Sequence, residues 1–203
     1  MHDTLKVKAQ EIIGLHDAYL LNMAWPDESE MKYQGTDSIF KFIEANHFFN
    51  TKLWNEEDLA RRQNVSDSEI TKNKRAIDKF NQSRNDCIEE IDSFILKRIS
   101  NTILKNAKQN SETLGAMIDR LSILSLKIFH MGIQTLRENV SETHIQTCSK
   151  KLEVLKIQRN DLCVCLDELL YDCMLGIRYF KQYKQFKMYN DPNLNPQLYA
   201  EKS

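Results

Sequence analysis

The amino-acid sequence predicts an all-α protein, an antiparallel bundle of four to five helices with long central helices. Three observations carry that prediction. The only prolines are Pro26, Pro192 and Pro196, so the strongest helix breaker is missing from the whole middle of the 203-residue chain. Glycine is scarce, with five residues in all. Apolar residues recur at three- and four-residue spacing, and no stretch shows the strict alternation of a half-buried strand between turn residues. The length suits a single helical domain, residues 1–189, followed by an irregular tail, 190–203.

The elements follow in order. A first helix over about residues 4–24 has Leu5, Ile12, Ile13, Leu20 and Leu21 to bury. Trp25-Pro26-Asp27 ends it, because the residue before proline is pushed away from helical angles. After a polar connection, Asp37 is an N-cap for a second helix to about Arg62, with Ile39, Phe40, Ile43 and Trp54 on one side. Ser66-Asp67-Ser68-Glu69 has capping-box spacing and opens a third helix to about Leu104. Ile70, Ile77, Arg84, Ile88, Ile91 and Ile95 lie near one line of it. Ser111 opens a fourth, whose stripe is Leu114, Met117, Ile118, Leu121, Leu124 and Ile128; Gly132 is a stop signal, although the pattern runs on to Leu136. Ser141 caps a fifth, with Ile145, Leu152, Leu155, Leu162, Leu166, Leu169 and Met174 at helical spacing. From Asn190 the residues are those of turns.

Composition excludes several classes. The formal net charge is −1, without the basic excess of a dedicated nucleic-acid binder. Five cysteines, Cys87, Cys148, Cys163, Cys165 and Cys173, form no C-x-x-C pair, so reduced thiols in a cytoplasmic protein are expected. Charges interrupt the N-terminal residues where a signal peptide needs its apolar run, and no stretch is long enough for a membrane span.

Polar residues on stripes that ought to be apolar mark the candidate site, since charges there need partners from neighbouring helices. One set is His47, Asn50, Trp54, Glu57, Asp58 and Arg61; Glu57 and Arg61 can pair at i,i+4. A second is Asn81, Arg84 and Asp92, with Glu89 alongside. A buried Arg84 would need Glu57, Asp58 or Asp119 as its carboxylate. A third, on the fourth helix, comprises Asp119, Arg120, Lys127 and His130. Glu57, Asp58, Glu89 and Asp92 could together hold magnesium, a weak match because the second E-x-x-E spacing is absent. No nucleophile elbow, phosphate loop or metal-binding histidine pair is present. Near the end, Arg178, Lys181, Lys184 and Lys187 alternate with Tyr179, Phe180, Tyr183, Phe186 and Tyr189. That pattern could grip phosphates, but aromatics capping the bundle while lysines reach solvent is the favoured reading.

Four blocks, NTKLWNEEDLAR, KRAIDKFNQSRNDCIEEID, ETLGAMIDRLSILSLKIFHM and QFKMYNDPNLNP, resemble in order those of the bacterial "domain of unknown function 4254" family. The segment Gly115–Ile128 is also similar to small helical proteins found with bacterial surface-polysaccharide genes. The resemblance implies a cytoplasmic all-α protein of Gram-negative bacteria, accessory to lipopolysaccharide or surface-glycan assembly. It brings no catalytic residues to carry over.

The leading expectation is a binding or accessory protein whose interhelical polar groove takes a sugar, a nucleotide sugar or a glycan-assembly protein. One rival is a magnesium-dependent hydrolase or transferase acting on a phosphate-containing substrate. Another is a structural bundle in which the polar residues only fix helix register. A homo-oligomer is compatible with each. The geometric expectation is that Glu57 or Asp58, Arg61, Arg84 and Asp119 meet in one interior cluster, beside a cleft lined by Trp54.

Overall fold

The fold is given by a computed structural model, which describes residues 7–99, 103–184, 188 and 191–200. It is an all-α bundle. Five helices build it: α1 (Ala9–Leu20), α2 (Ile39–Ala60), α3 (Asp67–Leu96), α4 (Leu114–Thr135) and α5 (Glu142–Met174). Two three-residue strands, β1 (Lys108–Asn110) and β2 (Arg178–Phe180), and a one-turn α6 (Pro196–Ala200) complete it. Short connections join α2 to α3 and α4 to α5, which makes each pair an antiparallel hairpin.

The helix starts follow from the caps. Ser66 and Glu69 form the capping box, and the Ser141 hydroxyl accepts from the His144 amide. Two starts differ from expectation. Ser38 rather than Asp37 caps α2, because the Asp37 carboxylate is turned to Arg98 at 3.3 Å. Thr113 rather than Ser111 caps α4, accepting from the Ala116 amide. Helix α4 passes through Gly132 to Thr135. Helix α1 is shorter than predicted; its first amide, Ala9, donates to Asp167 of α5 at 2.9 Å. Leu21, expected to be buried, is exposed just beyond it, and Leu5 lies outside the described residues.

The strands correct the expectation of helix alone. Helix α3 stops at Leu96 instead of Leu104; from Leu104 the backbone pairs with the segment that follows α5. Strands β1 and β2 run parallel, Lys108 beside Arg178 and Asn110 beside Phe180. The α4–α5 hairpin is the crossover that parallel pairing requires. Three residues are too few to show alternation in a sequence. Phe180 is buried against the bundle, while Tyr183 and Lys184 are exposed. Phe186, Lys187 and Tyr189 lie outside the described residues. The tail also holds a helical turn, α6, where only turns were expected.

The core joins Ile12 and Ile13 of α1, Ile43 of α2, Ile91 and Ile95 of α3, Leu114, Ile118 and Leu121 of α4, and Leu162, Leu166 and Leu169 of α5. One glycine sets the depth of the α3–α4 contact. A Cβ on Gly115 would lie 2.5 Å from the Ile88 carbonyl oxygen and 2.9 Å from Asp92 Oδ1, so only glycine fits there. Asp92 accepts from the Gly115 amide at 2.7 Å, at the start of α4 where unpaired amides await a partner. Burial raises its carboxyl to about 6, against the opposing pull of bonds from Thr113 and Gly115.

Candidate functional site

Asp119, one turn into α4, collects polar side chains from α2 and α3. Asn46 and Asn50, four apart on α2, each place Nδ2 2.9 Å from Asp119 Oδ1. Arg84 brings Nε to 4.0 Å from the same oxygen. Ser122, one turn further along α4, accepts from Asn50 at 3.0 Å and lies 2.8 Å from His47 Nδ1. Asn46, His47, Asn50, Asp119 and Ser122 are all buried. Their bonds offset the desolvation that burying them costs.

Outside this inner layer, α2, α3 and α4 leave a cleft of about 490 Å³. Asn50 and Arg84 link it to the network; Trp54, Glu57, Asp58, Arg61 and Asn81 form its polar wall, and Leu53, Ile123 and Leu126 its apolar one. Arg61 and Glu57 pair at 3.0 Å, but on the exposed rim and not in the interior, as both side chains reach past their neighbours into water. Of the predicted cluster, Arg84 and Asp119 are the two that pair away from the rim among the described residues.

Two residues that line this cleft carry a buried donor with no acceptor among the described residues: Trp54 Nε1 and Arg84 Nε. An unmet buried N–H costs about 1–3 kcal/mol, so each would gain from an acceptor brought by a ligand. Trp54 is fixed by stacking on His130 of α4, with ring centroids 4.5 Å apart and planes 4° from parallel. Burial lowers the His130 imidazole below its usual value, against the opposing pull of Asp58.

Other predicted residues sit elsewhere. Arg120 is held by Glu112 at 2.8 Å beside a different groove. Asp92 serves the start of α4. Glu57, Asp58, Glu89 and Asp92, the magnesium set, are not gathered: among the described residues no group of three or more His, Cys, Asp or Glu side chains is placed to hold a metal ion. Helix geometry explains this, since Glu57 and Asp58 point to the cleft rim while Asp92 is tied to Gly115.

The sequence model of the family described as "Protein of unknown function (DUF4254)" matches residues 40–182, well over half of the chain. The chain belongs to this family. No curated protein and no solved structure matches it. The matched span of the DUF4254 family contains every residue that lines the cleft, and excludes α1.

Helix α1 supplies what sequence reading missed. His16 is fully buried and stacks on His47 at 4.4 Å, and neither of its ring nitrogens has a hydrogen-bond partner among the described residues. Burial, with His47 and Arg159 nearby, holds His16 well below the usual imidazole value, and burial pulls His47 down to about 3. Glu44 is equally buried and accepts from the Tyr19 hydroxyl and from the backbone amides of Lys32 and Tyr33, at 2.6 and 3.0 Å. A signal existed: Ile43, Asn46, His47 and Asn50 keep the three-four spacing of one face, so a polar stripe continued an apolar one. No helix among the described residues is long and apolar enough to cross a membrane.

Proposed function

We propose that this protein is a binding protein whose cleft between α2, α3 and α4 takes a hydroxyl-rich, acceptor-bearing ligand of the sugar or sugar-phosphate class. The observation that carries the reading is the pair of buried donors without an acceptor among the described residues, Trp54 Nε1 and Arg84 Nε, both on residues that line one cleft. Their neighbours suit such a ligand. Glu57, Asp58 and Asn81 can accept from sugar hydroxyls, Arg84 and Arg61 can meet phosphate or carboxylate oxygens, and the Trp54 ring offers an apolar face. The cleft falls within the range of small-molecule sites, about 300–1,000 Å³. A cytoplasmic place in lipopolysaccharide or surface-glycan assembly accords with the likeness of the Gly115–Ile128 segment to small helical proteins encoded beside such genes.

One observation favours a structural role for the inner layer. Asn46, Asn50, Asp119 and Ser122 satisfy one another and fix α2 against α4. The ligand reading therefore concerns the outer wall. A thermal-shift screen of neutral sugars, sugar phosphates and nucleotide sugars tests it. At least one compound should raise Tm in the wild-type protein and not in Arg84→Gln. No shift with any of them, or an equal shift in Arg84→Gln, overturns the reading.

A further inference from the structure

A second, larger cavity of about 730 Å³ is lined by α4 and α5, with Trp54 and Asp58 of α2. Trp54 and Asp58 belong to the walls of both cavities. Trp54, stacked on His130 of the larger cavity, is thus common to two adjoining sites. The charge of the larger cavity differs from that of the first cleft. Lys127, Lys150 and Lys151 line it against a single carboxylate, Asp58, and none of the three lysines forms an ion pair among the described residues. Met131, Val154 and Leu155 give the remaining wall an apolar strip, and Val154 is 53% exposed despite its aliphatic side chain.

We infer that the α4–α5 groove is an anion subsite that takes the diphosphate of a sugar diphosphate ester whose sugar occupies the α2–α3–α4 cleft. This deepens the proposed function and rests on it for the placement of the sugar. Lysine ammoniums supply mobile point charges suited to phosphate oxygens that are not held in one plane. The apolar strip beside them fits the group esterified to the far phosphate. A nucleoside, through the face of its base, and a prenyl chain, along its length, both bring apolar surface next to a diphosphate.

The full-length, nitrogen-15-labelled protein can be titrated with inorganic pyrophosphate and read by amide shifts. Shifts should appear at residues 127–134 and 150–158, and affinity should fall at least about tenfold in the double variant Lys150→Gln/Lys151→Gln. Both lysines are exposed, so this variant should keep its circular dichroism spectrum and Tm. Absence of pyrophosphate binding, shifts confined to other surfaces, or unchanged affinity in the double variant overturns the inference. UDP, UDP-N-acetylglucosamine and geranyl diphosphate form the comparison arms. Tighter binding of UDP or geranyl diphosphate than of pyrophosphate supports an apolar seat for the esterified group, and the tighter of the two names that group; UDP-N-acetylglucosamine binding no tighter than UDP overturns a two-cavity ligand. The two readings fail separately. Arg84-dependent sugar binding with no role for Lys150 and Lys151 removes the groove alone, while lysine-dependent pyrophosphate binding without any sugar effect removes the cleft alone.

Discussion

Replacing Asp119 by alanine removes the acceptor on which side chains of two neighbouring helices converge. Asn46 Nδ2 loses its one hydrogen-bond acceptor among the described residues, at 2.9 Å, and remains fully buried. An orphaned buried amide costs about 1–3 kcal/mol. Asn50 is better placed, since Ser122 at 3.0 Å and Asn46 at 3.2 Å still accept from it. Arg84 loses its carboxylate at 4.0 Å, but its side chain is 27% exposed, so solvent screens part of the loss to about 1 kcal/mol. The sum is about 3 kcal/mol, or a fall in Tm of about 6–12 °C for a chain of this size. Urea denaturation of Asp119→Ala should therefore show a lower midpoint with an unchanged m-value. Asp119→Asn, which keeps an acceptor for Asn46, should lose only about 1 kcal/mol. A loss below about 1 kcal/mol in Asp119→Ala would refute the claim that this carboxylate organises the inner layer.

Acid should destabilise the protein through two buried imidazoles. His16 and His47 have folded values below the ordinary 6.5, so the unfolded chain takes up protons that the folded one refuses. Their stabilisation is full above pH 6.5 and is lost as pH falls towards about 3, where His47 itself titrates when folded. The loss is about 1.4 kcal/mol per histidine per pH unit. Asp92 opposes it: raised to about 6, it favours the folded state as pH drops from 6 to 3.8. Two histidines outweigh one carboxyl, so the urea midpoint should decline between pH 6.5 and 5, and His47→Gln should roughly halve the slope above pH 6. Stability that stays level from pH 7 to 5 would show that the histidine pair is not buried neutral. Gly115→Ala should cost about 1–3 kcal/mol, because its Cβ meets the Ile88 carbonyl oxygen, a backbone atom that cannot swing aside; a neutral effect by thermal melt would mean that α3 and α4 are further apart.

Much of the fold was legible because its causes are local. Ser66 with Glu69 and Ser141 announce two helices by chemistry that acts within one turn. The apolar stripe of α4 likewise needs no partner to be seen. Where the structure departs from the sequence reading, the cause is tertiary. Asp37 loses its capping place because Arg98, 61 residues away, draws its carboxylate. The strands exist only because α4 and α5 return the chain beside itself.

The candidate site divides along the same line. Trp54, Glu57, Asp58, Arg61, Asn81 and Arg84 were readable as polar residues on core-facing stripes, and they share a cleft. His16 was not readable, as one histidine among Ile12, Ile13 and Tyr19 looks like any core residue until His47 is stacked on it. Glu44 is equally hidden, because its partners are the Tyr19 hydroxyl of another helix and the backbone amides of a loop, which no pattern along α2 reveals. Asp92 and Arg120 were correctly read as polar on their helices, yet a turn of rotation and a nearer partner take both away from the cleft.

The central claim is that the cleft's acceptorless donors receive a ligand, and the two tryptophans allow it to be tested directly. Trp25 Nε1 already donates to Thr51 Oγ1 at 3.0 Å, whereas Trp54 Nε1 has no acceptor among the described residues. In a nitrogen-15 correlation spectrum these give two indole N–H signals, assignable with Trp54→Phe. On titration with glucose 1-phosphate and UDP-N-acetylglucosamine, the Trp54 signal should move downfield and gain protection from exchange while that of Trp25 stays in place. A Trp54 signal unmoved by both compounds at millimolar concentration would contradict the account.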